Sequence, residues 1–105
     1  MRMKTTLKLP GLLNCLIENV LYIEGKSNYS IVYLKDSKPV TMAKTLKKFE
    51  SQLRLHPFLR IHKSFLINKL HLSNKGLNEE YLLELTDGTK LPVSRRKRDL
   101  VKKSI

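Results

Sequence analysis

The sequence predicts one small, mainly-β domain: small antiparallel sheets with two short helices. Three observations carry this. Short apolar, β-prone runs separated by turn residues recur along the chain. Two of those runs flank Asp87-Gly88, a dipeptide that supplies the positive φ a tight hairpin needs. Helical spacing is confined to two brief segments.

Taken in order, residues 19–24 (Asn-Val-Leu-Tyr-Ile-Glu) form the first extended run and residues 29–34 (Tyr-Ser-Ile-Val-Tyr-Leu) the second. Asp36-Ser37 marks a turn before a third run at residues 39–42. Thr45 is a candidate N-cap. Leu46, Phe49 and Leu53 then fall at i, i+3 and i+7, one face of a helix that Pro57 ends. Residues 56–68 mix apolar and polar side chains without a clean period. They read as a loop, a short strand or turn, and an anchoring stretch in which Phe58, Ile61, Phe65 and Leu66 are buried. Residues 80–86 and 89–93 should pair antiparallel across Asp87-Gly88. Tyr22, Tyr29, Tyr33 and Tyr81 fall within these strands, as core or sheet surface rather than as base-stacking platforms. Ser94 is placed to cap a second helix running through residues 95–101.

A chain of 105 residues is one domain, residues 1–105, with an ordered core from about residue 7 to residue 101. There is no repeat, no low-complexity segment and no linker rich in Pro, Gly or Ser. An apolar content of 41% fits a folded globule and excludes a disordered tail. Cys15 is the single cysteine, so no intrachain disulfide forms. A reducing cytoplasm is its natural setting. Its neighbours in Leu12-Leu13-Asn14-Cys15-Leu16-Ile17 mark it as a small core residue rather than a nucleophile. No stretch approaches the ~18 apolar residues of a membrane span. Lys8, Pro10, Asn14 and Glu18 interrupt any signal-peptide core behind the basic start, so no membrane partner is expected.

Charge narrows the partner. Lys and Arg number 21 against 9 Asp and Glu, a net charge of +12. Self-repulsion of that size opposes compaction, and a polyanion relieves it. Nucleic acid is the commonest such partner. The sharpest local signal is Arg95-Arg96-Lys97-Arg98 in the first turn of the second expected helix. Cations there oppose the helix dipole at a cost on the order of 0.3–1 kcal/mol each. An anion docked at that turn reverses the balance, and Arg forks suit phosphate or the O6 and N7 atoms of guanine. Lys26, Ser27 and Asn28 lie in a loop opened by Gly25 and suit phosphate and adenine contacts, although Asn28 equally suits plain turn chemistry. Lys63 can reach a phosphate from among apolar anchors, and Ser64 can contact phosphate or cap a turn. Arg60 and His62 face DNA or hold the loop from inside, the second role being favoured for His62. Lys44, Lys47 and Lys48 flank the first helix as phosphate contacts or as a solvated face. His56, His62 and His71 lack metal-ligand spacing, and there is no phosphate-binding loop or dinucleotide fingerprint. The chain therefore reads as a non-enzyme needing no cofactor or metal.

Two motifs resemble the LytTR family of DNA-binding domains. Phe58-Leu59-Arg60-Ile61-His62-Lys63-Ser64-Phe65-Leu66-Ile67-Asn68 is similar to that family's F-x-R-x-H-x-S signature, which ends in Asn. Asp87-Gly88 followed by Leu91-Pro92-Val93-Ser94-Arg95-Arg96 is similar to its closing motif. Residues 20–24 with Asn28-Tyr29, and Leu46-Lys47-Lys48-Phe49-Glu50, fit in the same order over nearly the whole chain. The resemblance implies an elongated arrangement of small antiparallel sheets. It also implies the output module of a bacterial transcription regulator in a two-component system, commonly behind a phosphoreceiver domain. No receiver is present in this sequence, so the chain reads as a cut-out domain or a stand-alone regulator. Relatives insert loops into successive DNA grooves, and the matching positions are Asn28, Lys63, Arg95 and Arg96. Asn28 stands where relatives can have His, and Lys63 where they can have Asn, so base preference does not carry over.

The expected partner is double-stranded DNA, with a second copy on adjacent direct repeats and an N-terminal receiver as further partners. Two rival readings are an RNA-binding β module and a charge-driven polyanion or protein-interaction domain. The first needs a row of exposed aromatics on one sheet face. The second predicts binding to any polyanion without sequence preference.

Overall fold

The computed structural model describes residues 16–105, so the expectations for Cys15 and for the start of the chain lie outside the described residues. Eight strands and two α-helices follow in the order β1 (Val20–Gly25), β2 (Ser30–Leu34), β3 (Val40–Met42), α1 (Leu46–Gln52), β4 (Phe58–His62), β5 (Phe65–Asn68), β6 (Leu72–Leu77), β7 (Leu82–Leu85), β8 (Lys90–Pro92) and α2 (Arg98–Ser104). Short 3-10 turns precede β1, β6 and α2. One antiparallel sheet has the order β3-β2-β1-β5-β4 and a smaller one β6-β7-β8.

The larger sheet is covered on both faces. Leu46, Phe49 and Leu53 of α1 and its C-cap pack on one face against Val20, Ile23, Val32 and Leu66. On the other face Leu83, Leu85, Leu91 and Val93 of the small sheet, with Val101 of α2, pack against Leu21, Ile61 and Ile67. The molecule measures 40 × 38 × 24 Å, a flattened body rather than a rod.

Local chemistry matches most expected elements. Thr45 caps α1 by accepting the Lys48 N–H at 3.2 Å. The helix stops at Gln52, before the Pro57 expected to end it, and turns over residues 53–57 carry the chain to β4. Gly88 takes φ 92° between β7 and β8, and Asp87 Oδ1 accepts the Thr89 N–H at 3.0 Å. Gly25 ends β1 hard against α1, where a Cβ would lie 2.8 Å from Leu46 Cβ.

Several expectations differ. Residues 56–68 contain a full hairpin, β4 and β5, with Lys63-Ser64 at its turn. Its period was hidden for two reasons. The register shifts between Arg60 and His62, and β5 alternates between two cores, Leu66 to one and Ile67 to the other. Within that segment Ile61 and Leu66 are buried, whereas Phe58 and Phe65 are only half-buried at the margins of the cores. Tyr29 and Tyr81 are not in strands: Tyr29 is exposed in the loop before β2, and Tyr81 takes φ 59° in the turn before β7, with Arg98 stacked 3.7 Å over its ring. Ser94 occupies the cap position of the last helical segment without a side-chain cap bond, and that segment opens as a 3-10 turn, Arg95–Lys97. Strand β6 had no apolar run to announce it, and its register against β7 jumps from Leu72–Leu85 to Leu77–Leu83.

Asn68 ties the sheet to the start of the described chain. Its buried Nδ2 donates to the carbonyls of Val20 at 2.8 Å and Ile17 at 3.3 Å, and its Oδ1 accepts the Leu70 N–H at 3.0 Å. Truncation leaves buried backbone groups without partners, each costing about 1–3 kcal/mol. Asn68→Ala is expected to destabilise the fold by about 3 kcal/mol, read as a lower urea midpoint at unchanged slope.

Candidate nucleic-acid interface

The antiparallel register brings several strand ends to one side of the large sheet. Gly25 pairs with Ser30 across the loop of residues 26–29, Glu24 pairs with Phe65, and His62 pairs with Phe65 across Lys63-Ser64. The Gly25 N–H donates to the Ser64 carbonyl at 2.8 Å, which sets the early loop beside the β4–β5 turn. The Ser94 N–H donates to the Ile61 carbonyl at 2.9 Å, which sets the Arg95–Lys97 turn on the other flank of β4. The Ser30 hydroxyl, buried, donates to the Lys44 carbonyl at 2.7 Å and holds the start of α1 at the same end.

An open cleft of about 520 Å³ lies among these segments, lined by Glu50, Arg60, His62, Lys63, Ser94, Arg96 and Lys97. Five of the residues expected to meet DNA, Arg60, His62, Lys63, Arg96 and Lys97, thus surround one depression. Lys26, Ser27 and Asn28 stand outside it, exposed on the neighbouring loop, and Arg95 is exposed beside it. Ser64 is half-buried and contributes its backbone to the junction.

Arg60 and His62 are occupied within the turn. Arg60 Nε donates to the His62 carbonyl at 2.8 Å, Nη2 to the Lys63 carbonyl at 2.6 Å, and Nη1 to Glu50 at 2.6 Å. His62 Nδ1 accepts the Ser64 N–H at 3.0 Å. These two side chains hold the turn that exposes Lys63. Lys26 is drawn to Glu24 at 3.1 Å, and that hydrogen bond raises its pKa. Lys44 is pushed the other way, downward, first by burial and then by the charge of Lys48. It lies 4.7 Å from the centre of the Phe49 ring and reaches Gln52 at 2.7 Å.

The family model described as the LytTr DNA-binding domain matches residues 11–105. The chain belongs to this family. The LytTr domain is 29% identical over 80 residues to the transcriptional regulatory protein LytR of Staphylococcus aureus strain N315, and equally to that of strain COL. Those alignments cover 74% of this chain and 32% of the relative, so the chain spans about a third of the length of the curated relatives it matches. A solved LytTr DNA-binding domain from Bacillus cereus superposes with a TM-score of 0.72 at 26% identity, covering 85% of this chain and 83% of that one. DNA binding is accordingly the general function of the domain, a non-catalytic one. Among the described residues no group of three or more His, Cys, Asp or Glu is placed to hold a metal ion.

Sequence reasoning missed Glu50, Ser30 and Asn68 as parts of this architecture. Glu50 meets a partner ten residues further on, and only the β4–β5 hairpin brings Arg60 back to it. No local pattern announces such a contact.

Behind the tips, Tyr22 and Tyr33 stack at 4.4 Å, and Tyr33 donates to Glu24 at 3.1 Å. Burial, then the charges of Tyr33, Glu24 and Asp87, push Tyr22 up to about 12, and burial with the Glu24 bond raises Tyr33. A phenol with a raised folded-state pKa stabilises the fold while protonated. The contribution of Tyr22 is whole below pH 10.0 and is lost as pH climbs toward about 12. Urea melts across that window are expected to show falling stability, with a shallower fall in Tyr22→Phe.

Proposed function

We propose that this LytTr domain reads a specific duplex sequence and serves as the output module of a bacterial transcription regulator. The observation that carries the reading is the row of basic segments joined by two backbone hydrogen bonds, Gly25 to Ser64 and Ser94 to Ile61. Three chain segments distant in sequence are thereby presented side by side. Neighbouring strands lie about 4.8 Å apart, so the β1 and β4 ends are separated by roughly 10 Å before side chains extend. That is on the scale of a ~12 Å major groove. The flat face of the molecule, 40 × 38 Å, is comparable to one turn of DNA, about 34 Å.

In this reading Asn28, Lys63 and Arg96 meet base edges. Lys26, Ser27, Ser64, Arg95 and Lys97 meet phosphates, while Arg60 and His62 shape the turn. The LytR relatives, more than twice as long and described as transcriptional regulatory proteins, support a further domain in the whole regulator. An N-terminal receiver fits that arrangement, as does a second copy on an adjacent direct repeat. The regulator would act in the cytoplasm; no helix among the described residues is long and apolar enough to cross a membrane. A single-stranded RNA platform is less well supported. Tyr22 and Tyr33 are stacked on each other, Tyr81 lies beneath Arg98, and Tyr29 is left as the exposed aromatic among the described residues.

Two measurements test the reading. With about six phosphates neutralised, log K for a duplex should fall with log salt at a slope near −5. Salt-independent affinity would exclude the mechanism. Arg96→Ala is expected to lose about 1–3 kcal/mol on the preferred duplex and to blur preference at one or two base pairs. Unchanged binding by that variant removes Arg96 from the interface.

A further inference from the structure

We infer that Glu50 is a specificity-determining positioning residue: through Arg60 it sets the β4–β5 turn that presents Lys63, and in doing so it lowers the general attraction of this face for DNA. The inference rests on the duplex-binding reading above.

A carboxylate is out of place here. Glu50 lines the same cleft as Lys63, Arg96 and Lys97, and its side chain is 44% exposed. Facing a polyanion, it repels. A surface built for affinity alone would carry a neutral residue at this position. Nor does the core need it, because α1 is anchored by Leu46 and Phe49 with Leu53 just beyond.

Its contact supplies the reason. Glu50 Oε1 lies 2.6 Å from Arg60 Nη1, while the other two donors of that guanidinium hold the carbonyls of His62 and Lys63. Arg60 thus grips both residues at the start of the turn. Two neutral carbonyls alone compete poorly with a phosphate for a guanidinium. The charge-assisted bond to Glu50 is roughly twice as strong as a neutral one and keeps the clamp closed. Without Glu50, Arg60 becomes one more cation free to swing toward DNA. The consequence spreads further along the tips: the Ser64 N–H is held by His62 Nδ1, and the Ser64 carbonyl holds Gly25 at the base of the 26–29 loop. Glu50 therefore exchanges non-specific phosphate affinity for a fixed arrangement of the side chains that meet bases.

The experiment uses Glu50→Gln in this chain. Affinity is measured for a duplex selected by the parent from a random pool and for a scrambled duplex of equal length and composition. Asp36→Asn serves as the charge control. Asp36 sits in the β2–β3 turn at the opposite end of the sheet with φ 58°, a conformation Asn accepts. For Glu50→Gln, affinity for the scrambled duplex is expected to rise by about three-fold. The selected-to-scrambled ratio is expected to fall by about ten-fold. The Asp36→Asn ratio should match that of the parent. A second readout needs no DNA: amide hydrogen exchange at Gly25 and Ser64 should accelerate by about ten-fold in Glu50→Gln at an unchanged melting temperature. A purely repulsive Glu50 would raise both affinities by the same factor and leave exchange untouched, and that result overturns the proposal. A parent chain that selects no duplex overturns the binding reading and this proposal together. A parent that selects one, with a variant that keeps both ratio and exchange, overturns this proposal alone.

Discussion

The β4–β5 turn is held from both sides by main-chain hydrogen bonds, Ser64 carbonyl to Gly25 and Ile61 carbonyl to Ser94. Every other feature of the candidate interface is placed by reference to it. Remove the first bond and the 26–29 loop has no fixed neighbour on that flank. Remove the second and the Arg95–Lys97 turn loses its seat against β4. Backbone bonds suit this task because they depend on strand register and little on side-chain identity. The tips can then carry different side chains while the spacing among them stays constant.

Charge works with that geometry. At +12 the chain repels itself, yet its cations are not spread evenly in function. Near the tips, Glu24 is engaged by Lys26 and by the Tyr33 hydroxyl, and Glu50 by Arg60. Those acids act on the protein's own cations and shape the loops. Lys63, Arg95 and Arg96 stay exposed. Internal pairing therefore sorts cations of the same nominal type into turn-holders and outward-facing groups.

The two-sided core fixes the register of the strands from which the tips project. Strands β1 and β5 lie centrally in the larger sheet with apolar residues on both faces, α1 covering one and the small sheet with α2 the other. A strand buried on both sides cannot slip by one residue without exchanging its partners in both cores. Buried Asn68, bonded to Ile17, Val20 and Leu70, adds a polar lock to the same strand.

Much of this was legible in the residues alone. The capping Thr45, the Leu46-Phe49-Leu53 stripe, the Asp87-Gly88 turn and the first three extended runs are local signals, and local backbone chemistry decides them. The excess of cations and the crowding at Arg95-Arg96-Lys97 pointed to a polyanion before any fold was known. The hairpin in residues 56–68 and the irregular β6 were not legible, because burial on two faces and register shifts erase the alternation that marks a strand. Nor was the division of labour within the F-x-R-x-H-x-S segment, in which Arg60 and His62 turn inward and Lys63 stays exposed. Sequence by itself determined which short segments form and what charge they carry, since those depend on neighbours within a few residues. Tertiary structure alone decided which segments stand side by side and which cations are spent internally, because those contacts join residues brought together only by strand pairing.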